Sequence, residues 1–309
     1  MSADDGRLGV TGRAVGAPVP VRPEPQSGGA SRGAGNLAAS LRLLRSEARL
    51  IAGRRRNQAG ILALAAVPVI IALAVHATGP SGGGDRGAGF FAQITSNGIF
   101  VALAAMGVEA GLFLPLAVAT LSGDAIAGEA NIGTLRYLLT VPVERGRLLA
   151  VKYASLVLGA LFGVLVVALT GVAIGGALFG LGPITLLSGT QVGLAAALGR
   201  LAVAVLHVGA GLAALAAIGL FISTLTEQPI GATVAVTIVS TTMWILDGIS
   251  QLDWLHAWLL VHHWLAFADA FRDPIFWDEM RRGLAVDAGY IAVFLALAWV
   301  RFQRRDVTS

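Results

Sequence analysis

The sequence predicts an all-α integral membrane protein: about six transmembrane helices preceded by an amphipathic interfacial helix, with both termini cytoplasmic. Three observations carry this. Of 309 residues, 56% are hydrophobic and only 13% charged, about half the charge of a typical soluble domain at roughly 25%. Several apolar runs reach the roughly 18 residues that suffice to cross a bilayer. The arginines and the single lysine, Lys152, cluster beside alternate ends of those runs, the pattern that fixes orientation in a membrane.

Residues 1–36 are rich in Gly, Pro and small polar residues. They lack the apolar core of a signal peptide and cannot bury enough surface to order themselves, so they read as a disordered cytoplasmic tail. Residues 37–56 follow a different pattern. Leu37, Leu41, Leu44, Ala48 and Ile51 share one helical face, with Arg42, Arg45 and Arg49 on its flank. This suits a helix lying among anionic headgroups.

Residues 57–309 hold the membrane domain. Its spans are expected near residues 59–77 (with Pro68 inside), 97–121 (with Glu109 and Pro115), 148–178, 201–225, 230–245 and 284–300. Arg42 to Arg56 before the first span, Arg136 to Lys152 after the second, and Arg301, Arg304 and Arg305 after the last fall on one side. By the positive-inside rule that side is cytoplasmic. The other side carries a Gly-rich loop, a nearly neutral loop and an acidic segment from Asp247 to Asp287. Within the latter, residues 249–283 are expected to form outer interfacial helices, because five of six tryptophans stand in or beside them (Trp244, Trp254, Trp258, Trp264, Trp277).

Candidate chemistry is sparse. With no cysteine there is no disulfide, thiolate metal site or cysteine nucleophile. His256, His262 and His263 cluster in the outer segment but show no metal-ligand spacing; they read as interfacial histidines, and no metal site is expected. No nucleophile elbow or carboxylate pair appears, so no catalytic residue is assigned. The net charge of +4 is spent on membrane orientation, which leaves no reason to expect nucleic acid. Glu109 stands alone in mid-span, where a carboxylate is expensive and marks a candidate substrate or proton pathway. A neutral, hydrogen-bonded side chain at a helix interface is the other open reading. Small residues at four-residue spacing (Gly159/Gly163, Gly171/Gly175, Gly176/Gly180) suit close helix packing.

The loop 123–147 carries the strongest local pattern. Asn131 suits an N-cap, and Ile132, Leu135, Leu138 and Leu139 form an apolar stripe. Pro142 ends the helix, while Glu144 and Arg145 open the next. The stretch "IAGEANIGTLRYLLTVPVERGRLLAVK" resembles the cytoplasmic loop of ABC-2-type transporter permeases at Gly128, Glu129, Gly133, Thr134, Leu135, Leu138, Leu139, Pro142, Arg145 and Lys152. The ending with Arg304, Arg305 and Asp306 is similar to the same family's tail. "LLSGTQ" at 186–191 also looks like the signature loop of an ATP-binding cassette, but no phosphate-cradling GxxxxGK[ST] accompanies it, and that match is set aside.

The resemblance implies the permease subunit of an exporter in the cell membrane, with no catalytic role or cofactor of its own. ATP and magnesium would bind a separate ATP-binding protein. A second permease copy would complete the assembly. Glu129, Gly133, Thr134, Leu135, Arg136, Leu138, Leu139, Pro142 and Arg145 would couple this chain to that partner. The alternatives are a stand-alone ion-coupled carrier using Glu109 and an intramembrane enzyme.

Overall fold

The computed structural model describes residues 44–46, 53–78, 97–131, 145–186 and 188–304. By internal contacts the chain divides into residues 1–39 and 40–309, and every described residue belongs to the second unit. The expected tail 1–36 lies outside the described residues, as does most of the expected interfacial helix; of that helix, residues 44–46 are helical.

Nine α-helices make up most of the described chain: α1 (Arg55–Thr78), α2 (Ile99–Gly111), α3 (Phe113–Ala125), α4 (Ala127–Asn131), α5 (Arg145–Phe179), α6 (Leu194–Leu225), α7 (Pro229–Asp247), α8 (Asp253–His256) and α9 (Trp277–Gln303). Helix dominates because a bilayer offers backbone N–H and C=O groups no water, and a helix satisfies them within the segment. Among the described residues, α1, α5, α6, α7 and α9 are each long and apolar enough to cross a membrane. The pair α2 and α3 passes the same test together, bent by 55° at one break, which brings the number to six.

That break has a visible cause. Pro115 is the third residue of α3; it has no N–H to give the carbonyl of Gly111, and its ring crowds that carbonyl. Leu112 leaves helical geometry, and its N–H bonds back to Glu109 O. Pro68, by contrast, sits inside an unbroken α1.

The interior is organised around α6. In its most apolar stretch 78% of residues are buried, against 17% in α7 and α9, so α6 is the central helix. It packs against α9, α5, α3, α7 and a 3-10 segment, Leu260–Phe271. Its small residues admit these neighbours: Gly209 faces Leu161, Gly211 faces the Trp264 indole, and Gly219 faces Ser122. Elsewhere, α2 and α5 cross at Gly98 and Gly175 and again at Ala102 and Gly171, where a Cβ on Gly171 would stand 2.5 Å from the Ala102 Cα.

Contacts between helix ends define two ends of the bundle. At one, Arg54 pairs with Asp124, Gly123 abuts Pro229, Ser223 meets Ile126 and Gly146 abuts Trp299. At the other, Asn97 bonds to Gly182 O and Arg200 to Ala270 O. The nineteen residues of α7 rise about 28 Å at ~1.5 Å each, close to the ~30 Å hydrocarbon core. The 35 residues of α5 and 32 of α6 run well beyond that, and their surplus carries structure at the second end.

The described chain is mostly helical, as expected, with one short ladder in which Ile184–Thr185 pairs antiparallel with Gln191–Val192. The stretch that looks like an ATPase signature loop is the turn of this hairpin, with Gly189 at φ +86°. The last helix begins at Trp277 rather than near 284, so the separate outer turns end at Phe271. Trp264 is buried against Gly211 and meets Trp244 edge-on at 6.3 Å, whereas Trp254 and Trp258 stand exposed.

The α2–α5 crossing is testable. Gly171→Ala should destabilise the protein by about 1–3 kcal/mol, since added volume in a packed contact forces backbone shifts. Gly199→Ala, with open space around it, should leave the midpoint of thermal unfolding in detergent unchanged or slightly raised. Equal midpoints for the two variants would contradict the close approach.

Candidate partner-docking site

The resembling loop can be built up from its two flanks. On the first, α3 ends at Ala125 and the chain turns at Ile126 into α4. The N–H groups of Ile126 and Ala127 open a new helix and have no carbonyl four residues back to bond. Ser223, near the end of α6, accepts both at 3.1 and 2.9 Å and donates its own proton to Gly123 O at 3.0 Å. One buried hydroxyl thus fixes the elbow to the central helix.

On the second flank α5 begins at Arg145, as the Glu144–Arg145 pattern suggests. Two to three turns inside it Ser155 donates to Lys152 O at 2.7 Å. The Lys152 ammonium is buried and bonds the Glu129 carboxylate of α4. Lys152, at a span boundary where a lysine could have turned back to the headgroups, is instead held inside the protein. The pair closes the two ends of residues 132–144 onto each other. Beside it, Asp124 accepts Arg54 at 2.6 Å and also Arg56, bringing the start of α1 to the same place.

Of the residues assigned to coupling, Glu129 lies in this staple and Arg145 heads α5. Gly133, Thr134, Leu135, Arg136, Leu138, Leu139 and Pro142 lie outside the described residues. Asn131 is the last described residue of α4; the helix it is expected to cap, from Ile132, lies outside the described residues.

Glu109 lies apart, just before the α2–α3 break. It is fully buried, and neither carboxylate oxygen has a hydrogen-bond partner. Along the helix it falls between the Ala102–Gly171 and Leu114–Gly163 contacts. Of the two readings open in the sequence, the hydrogen-bonded interface residue is therefore not the one found. Two further buried polar side chains were not singled out. Asp287 lies inside α9, on the face of Met280 and Gly283. His207 of α6 meets Gly283, and its Nε2 bonds His263 O at 2.8 Å. The helical spacing of 280, 283 and 287 puts Asp287 on one face with Met280 and Gly283, a face that becomes visible only once the helix is seen to open at Trp277.

Between α1, α3 and α5 lies an apolar groove of about 540 Å³, lined by Leu64, Phe113, Leu116, Leu158 and Phe162, with Arg56 at one end. At the opposite end of the bundle the histidines converge. Among the described residues Asp247, His256 and His262 offer ligand atoms all within 4.8 Å of one another. The sequence hid this because the three come from α7, α8 and the 3-10 segment. His263, beside them, is held below the ordinary imidazole pKa chiefly by burial, against the raising effect of the Ala257 carbonyl and Glu279.

Breaking the staple should be costly. Glu129→Gln or Lys152→Met removes one side of a part-buried ion pair, expected to cost up to about 3 kcal/mol, read as a lowered unfolding midpoint. The exchanged pair Glu129→Lys with Lys152→Glu should recover part of that loss. A double variant no better than the sum of its singles would argue against the pair.

A family model described as a protein of unknown function, DUF2705, matches residues 89–308. The match covers the chain from just ahead of α2 to beyond the end of α9, including the stapled loop, Glu109 and the histidine cluster. A search of the curated proteins found no match. The chain accordingly belongs to the DUF2705 family.

Proposed function

We propose that this chain is the membrane subunit of an ABC-2-type ABC transporter, an exporter driven by ATP hydrolysis in a separate nucleotide-binding protein. On this reading residues 123–147 form the docking handle, both termini are cytoplasmic and the protein resides in the cell membrane. A second permease copy completes the assembly. The chain itself performs no catalysis; ATP and magnesium belong to the partner.

One observation carries the reading. The segment that resembles the permease loop is pinned at both flanks, by Glu129–Lys152 between α4 and α5 and by Ser223 from α6. A passive linker needs no such anchoring; a handle that must pass a partner's motion into the spans does. Charge supports the orientation. Arg54, Arg55, Arg56, Arg147, Lys152, Arg301 and Arg304 gather at the loop's end of the bundle beside Asp124 and Glu129, while the arginines of the other end (Arg200, Arg272, Arg281, Arg282) are paired with acids there. An even number of crossings, with α2–α3 taken as one, returns the chain to the side where it began.

A second reading, a stand-alone ion-coupled carrier, is favoured by Glu109, a buried carboxylate without a hydrogen-bond partner beside a broken helix. Interrupted helices mark ion and substrate sites in such carriers. The two separate cleanly. The ATP-driven reading expects an ATP-binding-cassette protein to co-purify from native membranes. Arg136→Glu with Arg145→Glu should weaken that association at least about tenfold, since charged interface pairs are commonly worth more than ~1.4 kcal/mol. Recovery of no ATPase would overturn it. Transport by the purified chain under a proton gradient without ATP, lost in Glu109→Gln, would establish the second.

A further inference from the structure

We propose that Asp247, His256 and His262 form a binding site for a divalent transition-metal ion of the zinc class, at the end of the bundle opposite the stapled loop. The inference does not rest on the transporter reading; it rests on donor chemistry, convergence and a supporting carboxylate.

Two imidazoles and one carboxylate are a donor set that suits zinc and its neighbours rather than calcium or magnesium, which prefer oxygen. The donors converge. Asp247 Oδ1 stands 2.6 Å from His262 Nδ1, and all three ligand atoms lie within 4.8 Å of one another. Around a tetrahedral zinc with bonds of about 2.0–2.1 Å, ligand atoms stand roughly 3.3 Å apart. That value falls between the two separations, so an ion would part Asp247 from His262 by under an ångström and draw His256 inward.

The second observation concerns His256. Its Nδ1 stands 3.4 Å from the exposed Asp253 Oδ1, near enough for that carboxylate to take up the hydrogen bond that orients a metal-binding imidazole once the ring turns. Its Nε2 now faces the carbonyls of Leu246 and Ile249 at 3.2 and 3.1 Å. Leu246 lies in the last turn of α7 and Ile249 two residues beyond it, and turning Nε2 onto an ion leaves both carbonyls to water. The backbone that carries the donors is knit by successive turns: Leu252 N–H to Ile249 O, Leu259 N–H to His256 O, and His262 N–H to Leu259 O. His262 is exposed and the other two half-buried, so water can complete the coordination and the ion can exchange. His263 is not part of the set; it is turned to Ala257 O and Glu279.

The test uses the full chain in detergent or nanodiscs, purified through a histidine-free tag and stripped with a chelator. Zinc is then titrated against a chromophoric competitor, and cobalt is added separately for its visible spectrum. One zinc per chain is expected, with intense cobalt bands of low coordination number and a rise in unfolding midpoint on zinc addition. His256→Gln, His262→Gln and Asp247→Asn should each weaken zinc binding at least tenfold. Asp253→Asn should weaken it by about tenfold, the usual effect of losing such a support. His263→Gln should leave it unchanged. Variants are compared at equal elution profile and metal-free unfolding midpoint, which separates lost ligation from lost folding. No stoichiometric binding, or equal binding in the Asp247/His256/His262 triple variant, overturns the proposal.

Discussion

Lipid tails are as apolar as leucine, so membrane helices gain nothing by hiding apolar side chains from them; they associate where backbones can come close and pack. α6 supplies that closeness. Its run of Ala and Gly presents little side chain on any face, and Leu161, Trp264 and Ser122 seat against its glycines. Four other membrane-crossing elements and the 3-10 segment are arranged around it. The α2–α5 crossing at Gly98, Ala102, Gly171 and Gly175 repeats the device away from the centre. Helices held this way behave as shaped rods with few places to bend, so a displacement at one end of a rod is felt along it.

The places where the rods do break are where polar chemistry collects. Each break frees N–H and C=O groups that must find partners in a medium without water. At Ile126 the freed N–H groups are taken by Ser223. At Leu112 the backbone bonds back to Glu109, whose own carboxylate is left without a partner nearby. The first break is therefore satisfied and stiff. The second keeps a buried acid in an unsatisfied state, which is the kind of stored cost that a site retains for use rather than for stability.

The span boundaries of α1, α5 and α7 were legible to within a few residues because hydropathy reports directly on what the bilayer demands. What hydropathy cannot report is which face a neighbour covers. Lys152 read as a lysine at a membrane boundary, and only the placement of Glu129 on α4 shows it buried. Trp264 shares its composition and surroundings with Trp254 and Trp258, yet Gly211 makes room for it alone. Asp287 falls at the seam between the expected acidic outer segment and the span near 284–300, and only the helix opening at Trp277 shows it on the buried face of Met280 and Gly283. The histidine cluster escaped for a different reason: metal motifs are recognised by local spacing, and Asp247, His256 and His262 are joined by turns rather than by one helix.

The two kinds of ion pair at the loop's end differ in what they can do. Arg54 and Arg56 are half exposed where they meet Asp124, and exposed pairs are worth about 0–1 kcal/mol and fade with salt. They gather α1 to the site without holding it there. Glu129–Lys152 is largely shielded from solvent, so parting it costs more than parting an exposed pair, and the two residues tend to move together. A push on residues 132–144 would then enter the bundle by two routes, through Lys152 into α5 and through the Ser223 elbow into α6. These are the longest helix and the most buried one, the two best able to carry a displacement to the far end. On the proposed reading, that division makes the shielded pair the hinge pin of the handle and the exposed arginines its adjustable surround.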